Sequence, residues 1–301
     1  MSEDILIVGT GALGGLFAAR LAQAGHSVTM LGTWKEGLDA IRRNGIRFID
    51  SHGHEKRFNI SATDDPHECV GIRHALVLVK AWQTERAAKQ LQECLAENGL
   101  AVTLQNGLGN RETLMQRLGP GRVALGVTTT GATLVSAGLV QAGGEGSISI
   151  ERNPALAPLE SALKSAGFDV RTVDDALSLI WGKLVINSAI NPLTALLRVT
   201  NGELLERASA REMMGVLARE TAQVASAEKI VLPFNDPAAA VEEVAHKTAA
   251  NHSSMLQDIL RGAPTEIDSI CGAVVSYGEK HQIATPVNWA CWQLVKAITA
   301  A

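Results

Sequence analysis

A lysine set in an apolar run is the first residue of this sequence that chemistry singles out. The stretch Trp181-Gly182-Lys183-Leu184-Val185-Ile186-Asn187-Ser188-Ala189-Ile190-Asn191-Pro192 spaces Lys183, Asn187 and Asn191 at i, i+4 and i+8. On a helix those three positions share one face. Their neighbours are apolar or small, so folding tends to bury the segment, and a buried lysine is costly without a partner or a task. Such an ammonium can deliver a proton and stabilise a developing oxyanion. A stripe of solvated polar residues is the plainer account of the same spacing.

A second polar cluster, Asn251-His252-Ser253-Ser254-Met255-Leu256-Gln257-Asp258, is followed by Pro264-Thr265-Glu266-Ile267-Asp268. Thr265 as a helix cap, with Glu266 in the first turn near the positive end of the helix dipole, accounts for that pair without any function. It does not account for Ser254 in the cluster just upstream. Two further polar groups follow apolar runs of β type. Lys80, with Gln83 shortly after, follows Ala75 to Val79; Asn106 lies in Gln105-Asn106-Gly107-Leu108-Gly109 after Leu100 to Leu104. Open α/β sheets bind their ligands at such strand ends, although a lone lysine there is more often a surface charge.

The glycine fingerprint is more specific. Gly9-Thr10-Gly11-Ala12-Leu13-Gly14 matches GxGxxG and stands between the apolar run Ile5 to Val8 and a helical stretch from Leu13 to Ala24 that stops at Gly25. In that setting the glycines allow a tight turn and a close approach to a pyrophosphate, whose charge the helix N-terminal amides receive. The next strand, Ser27 to Leu31, leads into Gly32-Thr33-Trp34-Lys35, with no carboxylate before Glu36. Since NAD sites use a carboxylate there to accept from the ribose, the hydroxyl of Thr33 and the cation of Lys35 point to a 2'-phosphate, hence to NADPH.

The elements that position these residues change character along the chain. Up to residue 173, β-type runs alternate with helical stretches; later strands are readable at Ala75 to Val79, Leu100 to Leu104 and Val123 to Gly126, with helices after the first two. This predicts a mostly parallel sheet covered by helices. Gly45 to Ala62, with Gly53 in a polar turn, reads as a hairpin inserted in that sheet. From Asp174-Asp175, a helix cap, the chain is alanine-rich and helical, broken by Pro192, Gly202, Pro233, Pro237, Pro264 and Pro286. The fold class is therefore α/β: an N-terminal Rossmann-type dinucleotide-binding domain over residues 1–173 and a C-terminal all-α domain over 174–301, with the hinge near Val170 to Asp175.

Bulk properties agree. A chain of 301 residues with 46% hydrophobic and 19% charged residues can bury two cores. A net charge of -4 offers no global field for nucleic acid or an anionic membrane. The cysteines Cys69, Cys94, Cys271 and Cys291 form no CxxC pair, which argues for free thiols and against a metal site. With an acidic start and no apolar run near ~20 residues, the expectation is a soluble cytoplasmic protein. Apolar surface on the alanine-rich helices could join two copies as a homodimer.

Taken in order, GTGALGG from Gly9, VKAWQT from Val79, LQNGLGN from Leu104, WGKLVINSAINPLTAL from Trp181, NHSSMLQDI from Asn251 and PTEID from Pro264 resemble the ketopantoate reductase family of the 6-phosphogluconate-dehydrogenase-like superfamily. The likeness runs through nearly the whole chain. It implies NADPH-dependent reduction of a small 2-oxo acid, 2-dehydropantoate, in pantothenate biosynthesis. It implies that Lys183 is the general acid and Glu266 its acidic partner, that Asn187, Asn191, Asn251 and Ser254 bind substrate, and that Lys80 and Asn106 face an interdomain cleft. The chemistry suits the residue types: hydride goes to the carbonyl carbon, a proton goes to its oxygen, and amide and hydroxyl donors hold the carboxylate. Many members carry arginine where this chain has Thr33, a departure that bears on the cofactor preference and not on the fold. Because fold and cofactor do not fix a substrate, another 2-oxo acid reductase on the same scaffold and an NADPH-binding sensor without chemistry are the alternative readings.

Overall fold

The computed structural model describes residues 2–299. It divides into two compact units: one holds the described residues through Gln105 with Asn110–Ala176, the other Asn106–Gly109 with the described residues from Leu177 onward. The changeover falls after Ala176, slightly beyond the expected 173, and Asn106 groups with the helical unit although it follows a strand of the first.

In chain order the first unit contains β1 (Asp4–Val8), α1 (Ala12–Gln23), β2 (Ser27–Leu31), α2 (Lys35–Asn44), β3 (Ile46–Ile49), β4 (Glu55–Phe58), β5 (Ser61–Thr63) and β6 (Ile72–Val77). It continues with α3 (Thr84–Cys94), β7 (Leu95–Thr103), α4 (Asn110–Leu118), β8 (Val123–Thr128), β9 (Gly131–Ser136), β10 (Leu139–Gly144), β11 (Ser147–Glu151), α5 (Ala157–Ser165) and β12 (Asp169–Val173). Eight strands make one sheet, ordered β12-β11-β8-β7-β6-β1-β2-β5. Neighbours from β5 to β8 are parallel, while β11 runs antiparallel to β8 and carries β12. The run Ile5-Leu6-Ile7-Val8 is apolar throughout because both faces are covered. Ile5 and Ile7 join a core with Leu16, Phe17 and Met30 on one face, and Leu6 and Val8 a core with Ala87, Leu91 and Leu114 on the other.

The hairpin expected over Gly45 to Ala62 forms as β3 and β4, paired antiparallel with Gly53 (φ +81°) in the turn. It is not inserted in the large sheet. It belongs to a separate four-stranded sheet, β4-β3-β10-β9, and only β5 at the end of the segment reaches the large sheet, beside β2. The small sheet lies against α1, where a Cβ on Gly15 would stand 2.6 Å from Val140 Cγ1.

The second unit contains α6 (Ala176–Leu197, which starts on the last residue of the first), α7 (Glu203–Glu206), α8 (Ala208–Ala227), α9 (Pro237–Lys247), α10 (Ser254–Leu260), α11 (Ala273–Lys280) and α12 (Pro286–Thr299), with a π-helical turn over Asp268–Gly272. Helix α6 is apolar nearly all round and therefore central: Trp181, Leu184, Val185, Ala189 and Ile190 are buried among residues of α8, α9, α11 and α12. Pro192 does not break it, contrary to expectation. A proline at that position has no N–H for the carbonyl of Ser188. That carbonyl accepts from the Cys271 thiol instead, at 3.7 Å. Pro237 and Pro286 do mark helix starts, and Asp236 caps α9 by accepting from Ala238 and Ala239 N–H.

Among the described residues no helix is long and apolar enough to cross a membrane, and no group of three or more His, Cys, Asp or Glu is arranged to hold a metal ion. All four cysteines are buried free thiols.

Candidate active site

The fingerprint loop leaves β1 where the chain order of the sheet reverses, between β1 and β6, the switch point at which open α/β sheets bind ligands. Each glycine is required for a different reason. Gly9 has φ +128°, and a Cβ there would stand 2.9 Å from the carbonyl carbon of Leu78. A Cβ on Gly14 would meet Gly9 O at 2.1 Å, so helix and strand could not approach. A Cβ on Gly11, the N-cap of α1, would meet nothing within 4 Å. The open space lies at the helix N-terminus, so the residues present fit a pyrophosphate held by backbone N–H groups. Ala12 and Leu13 form the first turn of α1, and Thr10 is buried under Gly32, whose Cβ would come 2.8 Å from Thr10 Cγ2.

At the end of β2, Thr33 and Lys35 are both exposed, where a dinucleotide fold meets the adenosine ribose. Arg42, which carries no sequence signal of a role here, donates through Nε to Ala62 O at 2.8 Å and through Nη2 to Asp64 Oδ1 at 2.7 Å. That hydrogen bond holds the Asp64 carboxyl below the usual carboxylate range, with Lys35 adding to the effect. Arg42 Nη1 also lies 3.6 Å from Asp39 Oδ1, so carboxylates already accompany the cations near this strand end.

Lys80 and Gln83 are both half-buried at a short 3-10 turn beyond β6, Lys80 as its N-cap and Gln83 as its last residue. A polar network fixes these loops. Gln105 Nε2 donates to Val79 O at 3.0 Å and to Thr84 Oγ1 at 2.8 Å, and Thr84 Oγ1 donates to Asn110 Oδ1 at 2.8 Å. Buried polar groups need such partners, and here they tie the ends of β6 and β7 together. Gln105, Thr84 and Asn110 were not singled out from sequence; Gln105 and Asn110 bracket the Asn-Gly-Leu-Gly run that was.

In the helical unit, α6 is unbroken from Lys183 to Asn191, so Lys183, Asn187 and Asn191 do share a face. Lys183 and Asn187 are half-buried and Asn191 is buried. Burial lowers the Lys183 ammonium to a pKa of about 8, with the nearby Glu266 carboxylate opposing the fall. Glu266 is only 6% exposed, and its Oε2 accepts from Asn106 Nδ2 at 3.1 Å. Lysine, carboxylate and amide from three separate stretches of sequence are thus gathered in one unit. Thr265 is not a helix cap: the turn that follows spans Asp268–Gly272, its N-cap is Ile267, and it takes no side-chain cap bond.

Asn251 and Ser254 are exposed. Ser254 opens α10, whose cap is Ser253, accepting from Leu256 N–H at 3.1 Å. Thr194 Oγ1 donates to Ser253 Oγ at 2.6 Å, which fastens the start of α10 to α6 within the same unit. Asn251 is placed through its carbonyl, which accepts from Asn201 N–H at 3.0 Å.

Comparison with known proteins gives consistent likenesses. The model for ketopantoate reductase PanE/ApbA matches residues 5–155, and that for the C-terminal part of the same family matches 175–299. A 2-dehydropantoate 2-reductase of Archaeoglobus fulgidus is 36% identical over 301 residues, 98% of each chain. A crystal structure of a PanE/ApbA family ketopantoate reductase from Ralstonia eutropha JMP134 is similar with TM-score 0.92 at 31% identity, over 99% of this chain and 98% of that one. The ternary structure of D-mandelate dehydrogenase with NADH and anilino(oxo)acetate is similar with TM-score 0.93 at 27% identity, again over 99% and 98%.

Proposed function

The chain belongs to the ketopantoate reductase PanE/ApbA family, and from that premise we propose that it reduces 2-dehydropantoate to pantoate with NADPH, as a step of pantothenate biosynthesis. The observation that carries this reading is the pairing of a half-buried Lys183 with the buried carboxylate of Glu266. A nicotinamide dinucleotide bound at the glycine loop would supply the hydride. Lys183 Nζ donates the proton to the carbonyl oxygen as the carbon is reduced, and regains one from water afterwards. With a pKa of about 8 it is mostly charged at neutral pH yet is a far stronger acid than an ordinary lysine, the condition for efficient general acid catalysis. Asn187, Asn191, Asn251 and Ser254 supply amide and hydroxyl donors for the substrate carboxylate. Glu266 accepts from the distal hydroxyl, and Asn106 orients Glu266. Lys80 and Gln83 stand at the switch-point strand end to receive the cofactor.

Oxidation of NADPH in the presence of a panel of 2-oxo acids tests the reading, with 2-dehydropantoate expected to give the highest kcat/KM. The similarity to D-mandelate dehydrogenase supports a second reading, in which an aryl 2-oxo acid is preferred. Binding of NADPH with no turnover of any 2-oxo acid would leave a sensor.

Two predictions refine the assignment. Glu266→Ala, assayed near pH 6 so that Lys183 stays protonated, should lower kcat/KM for 2-dehydropantoate by roughly 10- to 100-fold, the worth of a hydrogen bond to a charged group. A 2-oxo acid lacking the hydroxyl should lose much less; equal losses would make Glu266 a general electrostatic residue. For the cofactor, Lys35→Glu should narrow or reverse a preference for NADPH over NADH through like-charge repulsion. Equal efficiency with both cofactors in the parent enzyme removes the basis for assigning Thr33 and Lys35 to a 2'-phosphate.

A further inference from the structure

Glu266 immediately precedes Ile267, the N-cap of the π-helical turn Asp268–Gly272, in which Gly272 N–H reaches back to Ile267 O at 3.0 Å. Single π turns are uncommon and recur at functional sites. One end of this one is held by Trp292, whose Nε1 donates to Asp268 Oδ1 at 2.7 Å. Its second residue, Ser269, meets the segment that carries Asn106. Leu108 N–H donates to Ser269 O at 3.0 Å, and Ser269 Oγ donates to Glu266 O at 3.0 Å. Between them lies Gly107, φ +78°, where a Cβ would stand 2.3 Å from Ser269 O and 2.6 Å from Ser269 Oγ.

Taking Lys183 as the proposed acid and Glu266 as the substrate-binding carboxylate paired with it, we propose that Gly107 and Ser269 form a latch that sets the Asn106 amide on the Glu266 carboxylate, so that both are positioning residues for Glu266. The latch joins two stretches 160 residues apart at one side-chain bond by means of two backbone neighbours, Leu108 and Ser269. Its demand on Gly107 is steric as well as conformational. Gly109, two residues on, also has a positive φ of +89°, yet a Cβ there would meet nothing within 4 Å. The two glycines therefore separate contact from backbone conformation.

Asparagine tolerates a positive φ better than other residues with a Cβ. Gly107→Asn should nevertheless break the latch, and Gly109→Asn should not. The reporting measurement is the pH profile of kcat for reduction. Because the Glu266 carboxylate holds the Lys183 pKa up, displacing it should move the basic limb to lower pH by about half a unit or more. Misplacement should also lower kcat by roughly 10- to 100-fold, with the dissociation constant for NADPH unchanged. Gly109→Asn should keep the parental limb and turnover. Should Gly107→Asn fail to fold, Ser269→Ala removes only the Oγ bond to Glu266 O and should move the limb the same way by less. A parental limb and turnover in Gly107→Asn, or in Ser269→Ala where that must be used, overturns the latch. A parent enzyme with no basic limb that Lys183→Met abolishes would sink the pair assignment and the latch together.

Discussion

Lys183→Met should lower kcat for reduction by at least ~10²-fold while NADPH still binds. Methionine is close to lysine in length and apolar, so it suits a position on a helix buried along most of its circumference. What it removes, on the proposed mechanism, is the proton and the charge that meets the developing alkoxide, contributions that general acid catalysis typically puts at ~10² to 10⁴-fold. The glycine loop belongs to the other unit, so the dissociation constant for NADPH, followed by nucleotide fluorescence, should stay within about threefold of the parent. A correctly folded Lys183→Met enzyme with near-parental turnover would assign the proton to water or another residue.

The same lysine fixes the sign of the pH dependence. On the proposed mechanism reduction requires the ammonium, so its rate should hold on the acid side and fall as pH rises through about 8. Oxidation of pantoate by the same mechanism requires the neutral amine as base, so the reverse reaction should rise through the same region. Opposite limbs at a common midpoint would be hard to obtain from a group acting only on cofactor binding.

What the sequence disclosed about this site follows from the range of the interactions involved. The helical stripe Lys183, Asn187, Asn191 and the strand-turn-helix setting of Gly9 to Gly14 are local patterns, set by periods of 3.6 and by one turn, and both stand in the structure. Pro192 reads as a breaker because proline removes a backbone donor; the thiol that replaces it comes from Cys271, 83 residues from the Ser188 carbonyl it reaches, and no local pattern carries that information. The small sheet was missed for a related reason. Strand β10 pairs with β3 in parallel, across some ninety residues, so the hairpin at Gly45 to Ala62 was assigned to the only sheet the alternation made visible. Asn106 reads from the sequence as a strand-end ligand of the first unit, and the structure groups it with the helical unit. Its partner is Glu266, and the Ser269 carbonyl that seats its neighbour Leu108 carries no sequence signal at all.

The fingerprint glycines give the second large effect, because the same motif should fail in two distinct ways. Gly11→Val places its side chain in open space at the N-terminus of α1, with φ −85° and ψ −167° in the extended region that valine favours. The fold should therefore be kept and the melting temperature should move little. The branched side chain would instead occupy the approach of a pyrophosphate to the helix amides. Losing two charge-assisted hydrogen bonds at about 1.5 kcal/mol each weakens binding by about 3 kcal/mol, roughly 10²-fold in the dissociation constant for NADPH. Gly14→Ala adds one carbon in the helix interior, but that carbon would sit 2.1 Å from Gly9 O. Helix and loop must separate, an overpacking cost of about 2 kcal/mol that should lower the melting temperature by ~4 to 8 °C. Calorimetry and NADPH titration on both variants decide the matter. A Gly11→Val protein that binds NADPH like the parent would show that the phosphates lie elsewhere, and a Gly14→Ala protein as stable as the parent would show that the helix yields to the added methyl.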